Sequence, residues 1–249
     1  MSVRKMHQPR GMAFTVAIGI LKPLLLATTK REWIDAEKVP ATGGMVVVLN
    51  HLSHLDPITA AHLLTDYGRL PRYLAKAGLF DTPVVGSFMR GAGQIPVERA
   101  TANAAGAYDA AVAAVRAGEC VVVYPEGTIT RDPHGWPMVG KSGAARIALE
   151  TGCPVIPVGQ WGAQEILPAY GSRPHLFPRK TIRMQVGDPI DLADLLEQPI
   201  TIAVIAEASR RIMDEITSLV AVIRGETAPP ERYDMRVSGD PFKSRKGAS

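Results

Sequence analysis

Apolar runs and polar stretches alternate along most of the chain, and the lengths of the runs predict strands separated by helices. Unbroken apolar runs rich in β-branched residues are typical of strands buried on both faces of a sheet. Pro96 cannot donate a ladder hydrogen bond, so its strand is expected at a sheet edge or a strand end. The predicted strands cover 46–49, 72–76, 94–99, 120–124, 154–159 and 181–186.

Helices are predicted between these strands by start and stop signals as well as by apolar spacing. Asp56 is expected to cap a helix whose first position is Pro57, and Thr201 to cap a long amphipathic helix that Gly225 ends. The order of elements, with no repeat or linker inside 40–225, predicts a single α/β domain with a largely parallel central sheet flanked by helices. The predicted helices cover 56–64, 83–89, 103–117, 141–151 and 202–224.

Two stretches lack these signals. Residues 31–44 form a polar sequence that ends in a glycine-rich turn, and they are expected to be a connector. Residues 226–249 are rich in Pro, Gly, Ser and charge, which predicts a flexible polar tail.

The first 39 residues are predicted to form a helical segment at a membrane interface. Residues 11–29 are strongly apolar, but Lys22-Pro23 interrupts them. A spanning helix needs about 20 uninterrupted apolar residues, and no signal-peptide cleavage site is evident. We therefore expect one or two short interfacial helices and a peripheral protein on the cytoplasmic face of the cell membrane. The alternative is a helix docked on the protein's own core.

Composition narrows the class of partner. Of the 249 residues, 46% are hydrophobic and 21% are charged, which is typical of a globular protein. The net charge of +4 is too weak to indicate nucleic acid, but it suits an anionic membrane surface or a phosphorylated substrate. Cys120 and Cys153 border apolar runs, which indicates reduced, packed thiols and a cytoplasmic compartment.

The strongest candidate chemistry lies where the first buried strand ends, in the stretch from Asn50 to Asp56. Open α/β sheets bind ligands at the carboxyl ends of their strands. His51 is a candidate general base, and a carboxylate such as Asp56 would fix its tautomer if the two side chains meet. No Gly-x-Ser-x-Gly elbow or metal-binding motif accompanies them, so the base would activate a substrate hydroxyl directly. The alternative is an ordinary polar turn with a capping aspartate.

Polar residues follow two other strands. Arg99 ends the strand at 94–99, and Glu126-Gly127-Thr128 follows the one at 120–124. A carboxylate beside a flexible backbone with free N–H groups can hold an anion or polarise a carbonyl. Taken alone, Arg99 could equally be a solvated charge, and residues 126–128 could equally be an ordinary turn.

Residues 135–142 match the phosphate-loop pattern GxxxxGK[ST], which makes a nucleotide-binding protein an alternative. That motif requires a strand leading directly into the loop, but the sequence before Gly135 is polar and turn-like. Pro137 also removes one of the backbone donors that would cradle phosphate. Lys141 would then face the substrate cleft or simply begin the next helix.

Four patches together resemble the bacterial 1-acylglycerol-3-phosphate acyltransferases and the wider glycerolipid acyltransferase superfamily. The first patch is Asn-His-x4-Asp at 50–56, and the second is Gly-x-Ile-x-Val-x-Arg at 93–99. The third is aromatic-Pro-Glu-Gly-Thr at 124–128, and the fourth is a proline-containing apolar strand at 155–158. The likeness covers roughly 40–190, and the stretch 73–76 is also similar to the family.

The resemblance implies transfer of a fatty acyl group from acyl-CoA or acyl carrier protein to a hydroxyl of lysophosphatidic acid or a related acceptor in phospholipid biosynthesis. It implies no other cofactor, no metal and no covalent acyl-enzyme. His51 would be the base and Asp56 its partner. The substrate-binding residues it implies are Lys76, Arg99, Glu126, Gly127, Thr128 and Arg131.

One departure from the family pattern concerns the acceptor. Family members often carry a basic residue directly after the threonine of the third motif, where this chain has Ile129. Arg131 would substitute for it, or the headgroup would differ from that of lysophosphatidic acid. A non-enzymatic membrane lipid-binding protein is a further alternative, in which the polar turns are structural.

Overall fold

A single seven-stranded sheet forms the centre of the protein in its computed structural model, which describes residues 4–6, 8–97, 104–171 and 173–242. The sheet order is β1-β7-β6-β2-β5-β3-β4. The strands, numbered along the chain, are β1 (Thr29–Ile34), β2 (Met45–Leu49), β3 (Pro71–Lys76), β4 (Ile95–Val97), β5 (Cys120–Val123), β6 (Val155–Trp161) and β7 (Lys180–Val186).

Five neighbouring strands, from β6 through β2, β5 and β3 to β4, run parallel. Strand β7 is antiparallel to β6, and β1 is parallel to β7. The predicted largely parallel sheet is therefore confirmed, and Pro96 lies in an edge strand as expected. The carboxyl ends of the five parallel strands share one edge, which brings their loops together.

Helices cover the sheet on both sides, as predicted. Thr201 caps the longest helix by accepting a hydrogen bond from the Val204 N–H group, and Gly225 ends it with a φ of 64°. The helices are α1 (Met12–Thr28), α2 (Asp56–Asp66), α3 (Pro83–Gly91), α4 (Ala104–Arg116), α5 (Gly143–Thr151), α6 (Ala163–Ile166), α7 (Ala193–Leu196), α8 (Ile202–Arg224) and α9 (Met235–Ser238).

Burial on two faces explains the unbroken apolar run of β2, whose five residues are all buried. Val46 and Val48 belong to a core cluster with side chains of α4, α5 and α8. Val47 and Leu49 belong to a second cluster with side chains of α2. Because successive side chains of a strand point to opposite faces, both sets must be apolar.

The predicted connector at 31–44 is wrong. It contains most of β1, which pairs with β7, and a 3₁₀ turn at Ala36–Lys38. The strand was hidden by its charged residues at the sheet edge, where Lys30 and Glu32 are exposed to solvent. Charged side chains on an edge strand keep it from pairing with other chains. Glu32 illustrates this by forming a partly exposed ion pair with Arg183 on β7 at 2.9 Å.

Helix α1 is continuous through Lys22-Pro23, so the apolar segment forms one helix rather than two. Its inner side docks on the domain, where Phe14 packs with Leu70 and Ala92. Lys22 Nζ lies 2.6 Å from Asp66 Oδ1 on α2. Among the described residues, no helix combines the length and the apolarity that crossing a bilayer requires.

Residues 226–242 of the predicted tail contact the domain, and the residues after them lie outside the described chain. Arg232 forms an ion pair with Asp214 on α8, and the Tyr233 carbonyl accepts a hydrogen bond from Val139 N–H. Phe242 stacks on Tyr170 with ring centroids 4.5 Å apart. Composition alone missed these anchors because a few aromatic and charged residues supply most of the contacts.

Candidate active site

The turn between β2 and α2 brings His51 and Asp56 together, as the sequence predicts. His51 Nδ1 lies 2.8 Å from Asp56 Oδ2. The Asp56 side chain is fully buried, whereas that of His51 is 16% exposed. A buried carboxylate on Nδ1 and an accessible opposite ring nitrogen are what a histidine general base requires.

Asp56 does not cap α2 as predicted. Its Oδ2 atom instead accepts hydrogen bonds from the N–H groups of Leu52 and Ser53, at 2.5 and 2.8 Å. The capping position belongs to Leu55, whose side chain makes no capping bond. Because the carboxylate is turned back over the loop as an acceptor, it favours the tautomer of His51 with the proton on Nδ1.

Asn50 fixes the loop to the neighbouring strand β6. Its Oδ1 atom accepts from Gln160 N–H at 2.9 Å, and its Nδ2 atom donates to the Gln160 carbonyl at 3.1 Å. The Gln160 side chain donates back to the Asn50 carbonyl at 2.6 Å. Three mutual hydrogen bonds in a buried setting hold the residue before the histidine in one conformation.

Tyr124 and Glu126, which follow β5, also contact His51. The Tyr124 ring stacks on the imidazole, with centroids 4.4 Å apart and an angle of 28° between the planes. Burial keeps the pKa of the Tyr124 phenol well above its usual range, so the side chain that packs on the imidazole is uncharged. Glu126 Oε1 accepts from His51 N–H at 2.9 Å, and Oε2 accepts from Met138 N–H at 3.0 Å.

Glu126 is buried behind His51 rather than in contact with the cavity. Burial raises the pKa of its carboxyl to about 8, although its two backbone N–H donors act in the opposite direction. Both oxygens are engaged with the protein's own backbone. The structure therefore places the residue predicted to seat the glycerol moiety as a support for the His51 loop.

A cavity of about 1330 Å³ opens beside His51. Of the residues predicted to bind substrate, Lys76, Gly127, Thr128 and Arg131 line it. Arg99 lies outside the described residues. Apolar side chains from α1, α2, α3 and the turn before α3 also line the cavity. They are Phe14, Ile18, Leu21, Leu25, Ile58, Ala61, Leu79, Phe88 and Met89.

Arg131 is engaged by the C-terminal segment. One of its guanidinium nitrogens lies 3.6 Å from Asp240 Oδ1, and the guanidinium carbon lies 4.4 Å from the centre of the Tyr170 ring. Asp240 and Phe242 also line the cavity. The residue proposed to replace the missing base at position 129 thus already has an acidic partner.

The loop at 135–142 lacks phosphate-loop geometry. Its Met138, Val139 and Lys141 N–H groups donate to Glu126, to the Tyr233 carbonyl and to the Pro125 carbonyl. These are donors that would have to face a phosphate, and the preceding strand β5 ends at Val123, so no strand leads directly into the loop. The nucleotide-binding alternative based on this loop is therefore wrong. The described residues also contain no group of three or more His, Cys, Asp or Glu placed to hold a metal ion.

Comparison with a family model places the chain among known proteins. The model of the family described as Acyltransferase matches residues 30–161, which is more than half of the chain. The chain belongs to the acyltransferase family. The matched range contains most of β1 and all of β2 to β6, and with them His51, Asp56, Tyr124 and Glu126.

Two relatives and one solved structure show how far this acyltransferase-family chain is similar to others. It is 33% identical over 154 residues to a chloroplastic 1-acyl-sn-glycerol-3-phosphate acyltransferase of Brassica napus, covering 61% of this chain but only 42% of that protein. It is 29% identical over 168 residues to the Bacillus subtilis 1-acyl-sn-glycerol-3-phosphate acyltransferase, covering 66% of this chain and 76% of that protein. The matched segment thus spans less than half of the Brassica relative.

The fold is similar to the crystal structure of the 1-acyl-sn-glycerophosphate acyltransferase PlsC from Thermotoga maritima, with a TM-score of 0.66. The identity is 20%, and the match covers 86% of this chain and 81% of that one. This likeness supports the α/β architecture.

Proposed function

We propose that this acyltransferase-family protein transfers a fatty acyl group from an acyl thioester to the free hydroxyl of a lysolipid phosphate such as lysophosphatidic acid. The observation that carries the proposal is the His51 Nδ1–Asp56 Oδ2 contact of 2.8 Å beside a cavity lined by both cationic and apolar side chains. The names of the relatives support this choice of acceptor.

The reaction proceeds by direct attack. His51 Nε2 takes the proton of the acceptor hydroxyl as its oxygen forms a bond to the thioester carbonyl carbon. Asp56 stabilises the imidazolium through the hydrogen bond to Nδ1. When the carbon–sulfur bond breaks, the imidazolium returns the proton to the leaving thiolate, so no acyl-enzyme forms.

The apolar region of the cavity suits the acyl chain of the donor. It lies between α1, α2 and α3, and Ile58 and Ala61 bring it to the helix that Asp56 begins. Burying a methylene group stabilises a complex by about 0.8 kcal/mol. The groove accepts an acyl chain on either coenzyme A or acyl carrier protein, since both deliver the same thioester.

We also propose that the protein binds the surface of a membrane through α1 and α3. Met12, Val16, Ile20 and Leu24 are exposed at intervals of four residues, which places them along one side of α1. Helix α3, which packs against α1, adds the exposed Val84. An exposed apolar side on a helix is typical of interfacial binding. The cytoplasmic side remains a prediction.

The test of the reaction is a donor and acceptor screen with purified wild type, His51→Ala and His175→Ala. General base catalysis contributes about 10²- to 10⁴-fold, so we expect His51→Ala to lose thioester-dependent acylation of lysophosphatidic acid by about that factor. His175 is exposed and lies outside the cavity, so its variant should retain turnover. Wild-type turnover by a folded His51→Ala protein would contradict the mechanism. Vesicle binding without turnover in any assay would favour the lipid-binding alternative.

A further inference from the structure

Four cationic side chains from described residues line the cavity, and they differ in whether they are already paired. Lys22 is paired with Asp66 at 2.6 Å and Arg131 with Asp240 at 3.6 Å. Lys76 and Lys141 have no acidic partner within 4.0 Å in the described parts of the chain. These two lysines are therefore the cavity cations available to a bound anion.

Lys141 is tied by its backbone to the loop after β5, and its side chain lies over that loop. Its N–H group donates to the Pro125 carbonyl at 2.8 Å, which ties it to the loop after β5. Its ammonium group lies over Gly127, where an added Cβ would be only 2.7 Å from Nζ. Gly127 follows Glu126, whose carboxylate holds the backbone of His51.

The missing base at position 129 strengthens the case for Lys141. Ile129 is buried and supplies no charge to the cavity. Arg131, which was expected to replace it, is engaged by Asp240 and Tyr170. Lys141 reaches the same loop from a different part of the sequence.

We infer that Lys141 binds the phosphate monoester of the acceptor and so selects phosphorylated over neutral lysolipids, an inference that rests on the proposed function. Lysine donates charge-assisted hydrogen bonds to phosphate oxygens from a flexible stem. The acceptor's phosphate is joined to the attacking hydroxyl through one glycerol unit, so it must lie close to His51. The phosphates of a coenzyme A thioester lie at the far end of the pantetheine arm.

The experiment compares wild type, Lys141→Met, Lys141→Arg and Arg146→Met. Arg146 is an exposed cation on α5 outside the cavity, so its variant controls for loss of one charge. The readouts are KM for lysophosphatidic acid, KM for monoacylglycerol and KM for acyl-CoA. Calorimetric titration with glycerol 3-phosphate gives a binding readout that is independent of turnover.

We expect Lys141→Met to raise KM for lysophosphatidic acid and the dissociation constant for glycerol 3-phosphate by about tenfold or more. Its KM values for monoacylglycerol and acyl-CoA should match wild type, and Lys141→Arg should recover most of the affinity. An unchanged acceptor KM, or a rise confined to acyl-CoA, would overturn the assignment. If wild type acylates no lysolipid, the proposed function fails, while the glycerol 3-phosphate titration still decides the role of Lys141.

Discussion

At the scale of single residues, the hydrogen bonds that hold the candidate base come from groups that do not line the cavity. Asp56, Asn50 and Glu126 each use buried hydrogen bonds to fix the imidazole or its backbone. A buried acceptor that loses its partner costs about 1–3 kcal/mol, so each contact restricts the loop strongly. His51 is therefore positioned before substrate arrives, which lowers the cost of orienting it during reaction.

The raised pKa of Glu126, about 8, predicts a specific pH dependence of stability. The folded state holds this proton more tightly than the unfolded state, where the ordinary value is 4.5. The stability it contributes is fully present below 4.5 and is lost as the pH rises towards 8. Glu126→Gln should remove this dependence.

The measurement is the free energy of unfolding of wild type and Glu126→Gln from pH 5 to pH 8. The glutamine variant also loses a hydrogen bond accepted from a backbone N–H group, which lowers its free energy of unfolding by the same amount at every pH. The readout is therefore how the difference in unfolding free energy between the two proteins changes with pH. We expect the advantage of wild type to shrink by up to about 1.4 kcal/mol per pH unit. Parallel curves would mean that Glu126 is ionised in the folded protein throughout this range.

The sequence predicted the base and its partner because the six residues from His51 to Asp56 form one turn that contains both. It did not predict the direction of the Asp56 carboxylate, since an aspartate before a proline at a helix start is typically a cap. It also missed the Asn50–Gln160 bonds, which join residues 110 positions apart. Such contacts depend on which strands become neighbours, and no local pattern encodes the placing of β6 beside β2.

At the scale of elements, the strands buried on both faces were predictable and the charged edge strand β1 was not. The same contrast applies to the ends of the chain. The apolar pattern of α1 indicates a helix but not the surface on which it packs. In residues 226–242, the side chains that contact the domain, such as Arg232 and Phe242, are isolated in a polar sequence. Tertiary contacts to α2, α3 and Tyr170 decide where these segments lie.

Lys22 is expected to secure α1 on the domain. Asp66 accepts hydrogen bonds from Lys22, from Arg31 and from the Trp33 indole. Lys22→Met removes the bond that comes from α1, at a cost of about 1 kcal/mol, because the lysine is partly exposed and its charge is screened.

Hydrogen exchange across residues 12–28 measures this effect, and we expect faster exchange in Lys22→Met than in wild type. Lys30→Met is the matched control, because Lys30 is exposed and has no acidic partner in the described chain. Equal protection in both variants would show that apolar packing alone docks the helix.

At the scale of the whole molecule, the exposed apolar side of α1 and the cavity lie on the same part of the protein, because Phe14 and Leu21 of that helix also line the cavity. We expect Val16→Asp combined with Ile20→Asp to lose most co-flotation with vesicles containing phosphatidylglycerol, because two charges enter the apolar side. Turnover of a short-chain, water-soluble acceptor should change little.

The control for this pair is Ile202→Asp combined with Val222→Asp on α8. Both residues are exposed and apolar, so the change in charge and composition is matched at a site away from α1. Equal flotation of the two double variants would contradict binding through α1.

The junction between α1 and the sheet has a consequence for orientation. Helix α1 ends at Thr28 and β1 begins at Thr29, so no linker separates them. An enzyme tethered by a flexible linker samples many orientations above a bilayer, whereas this one has a single angle set by the fold. If α1 lies in the bilayer surface, the mouth of the cavity faces the lipids at a fixed tilt, and the acceptor enters sideways without first leaving the membrane.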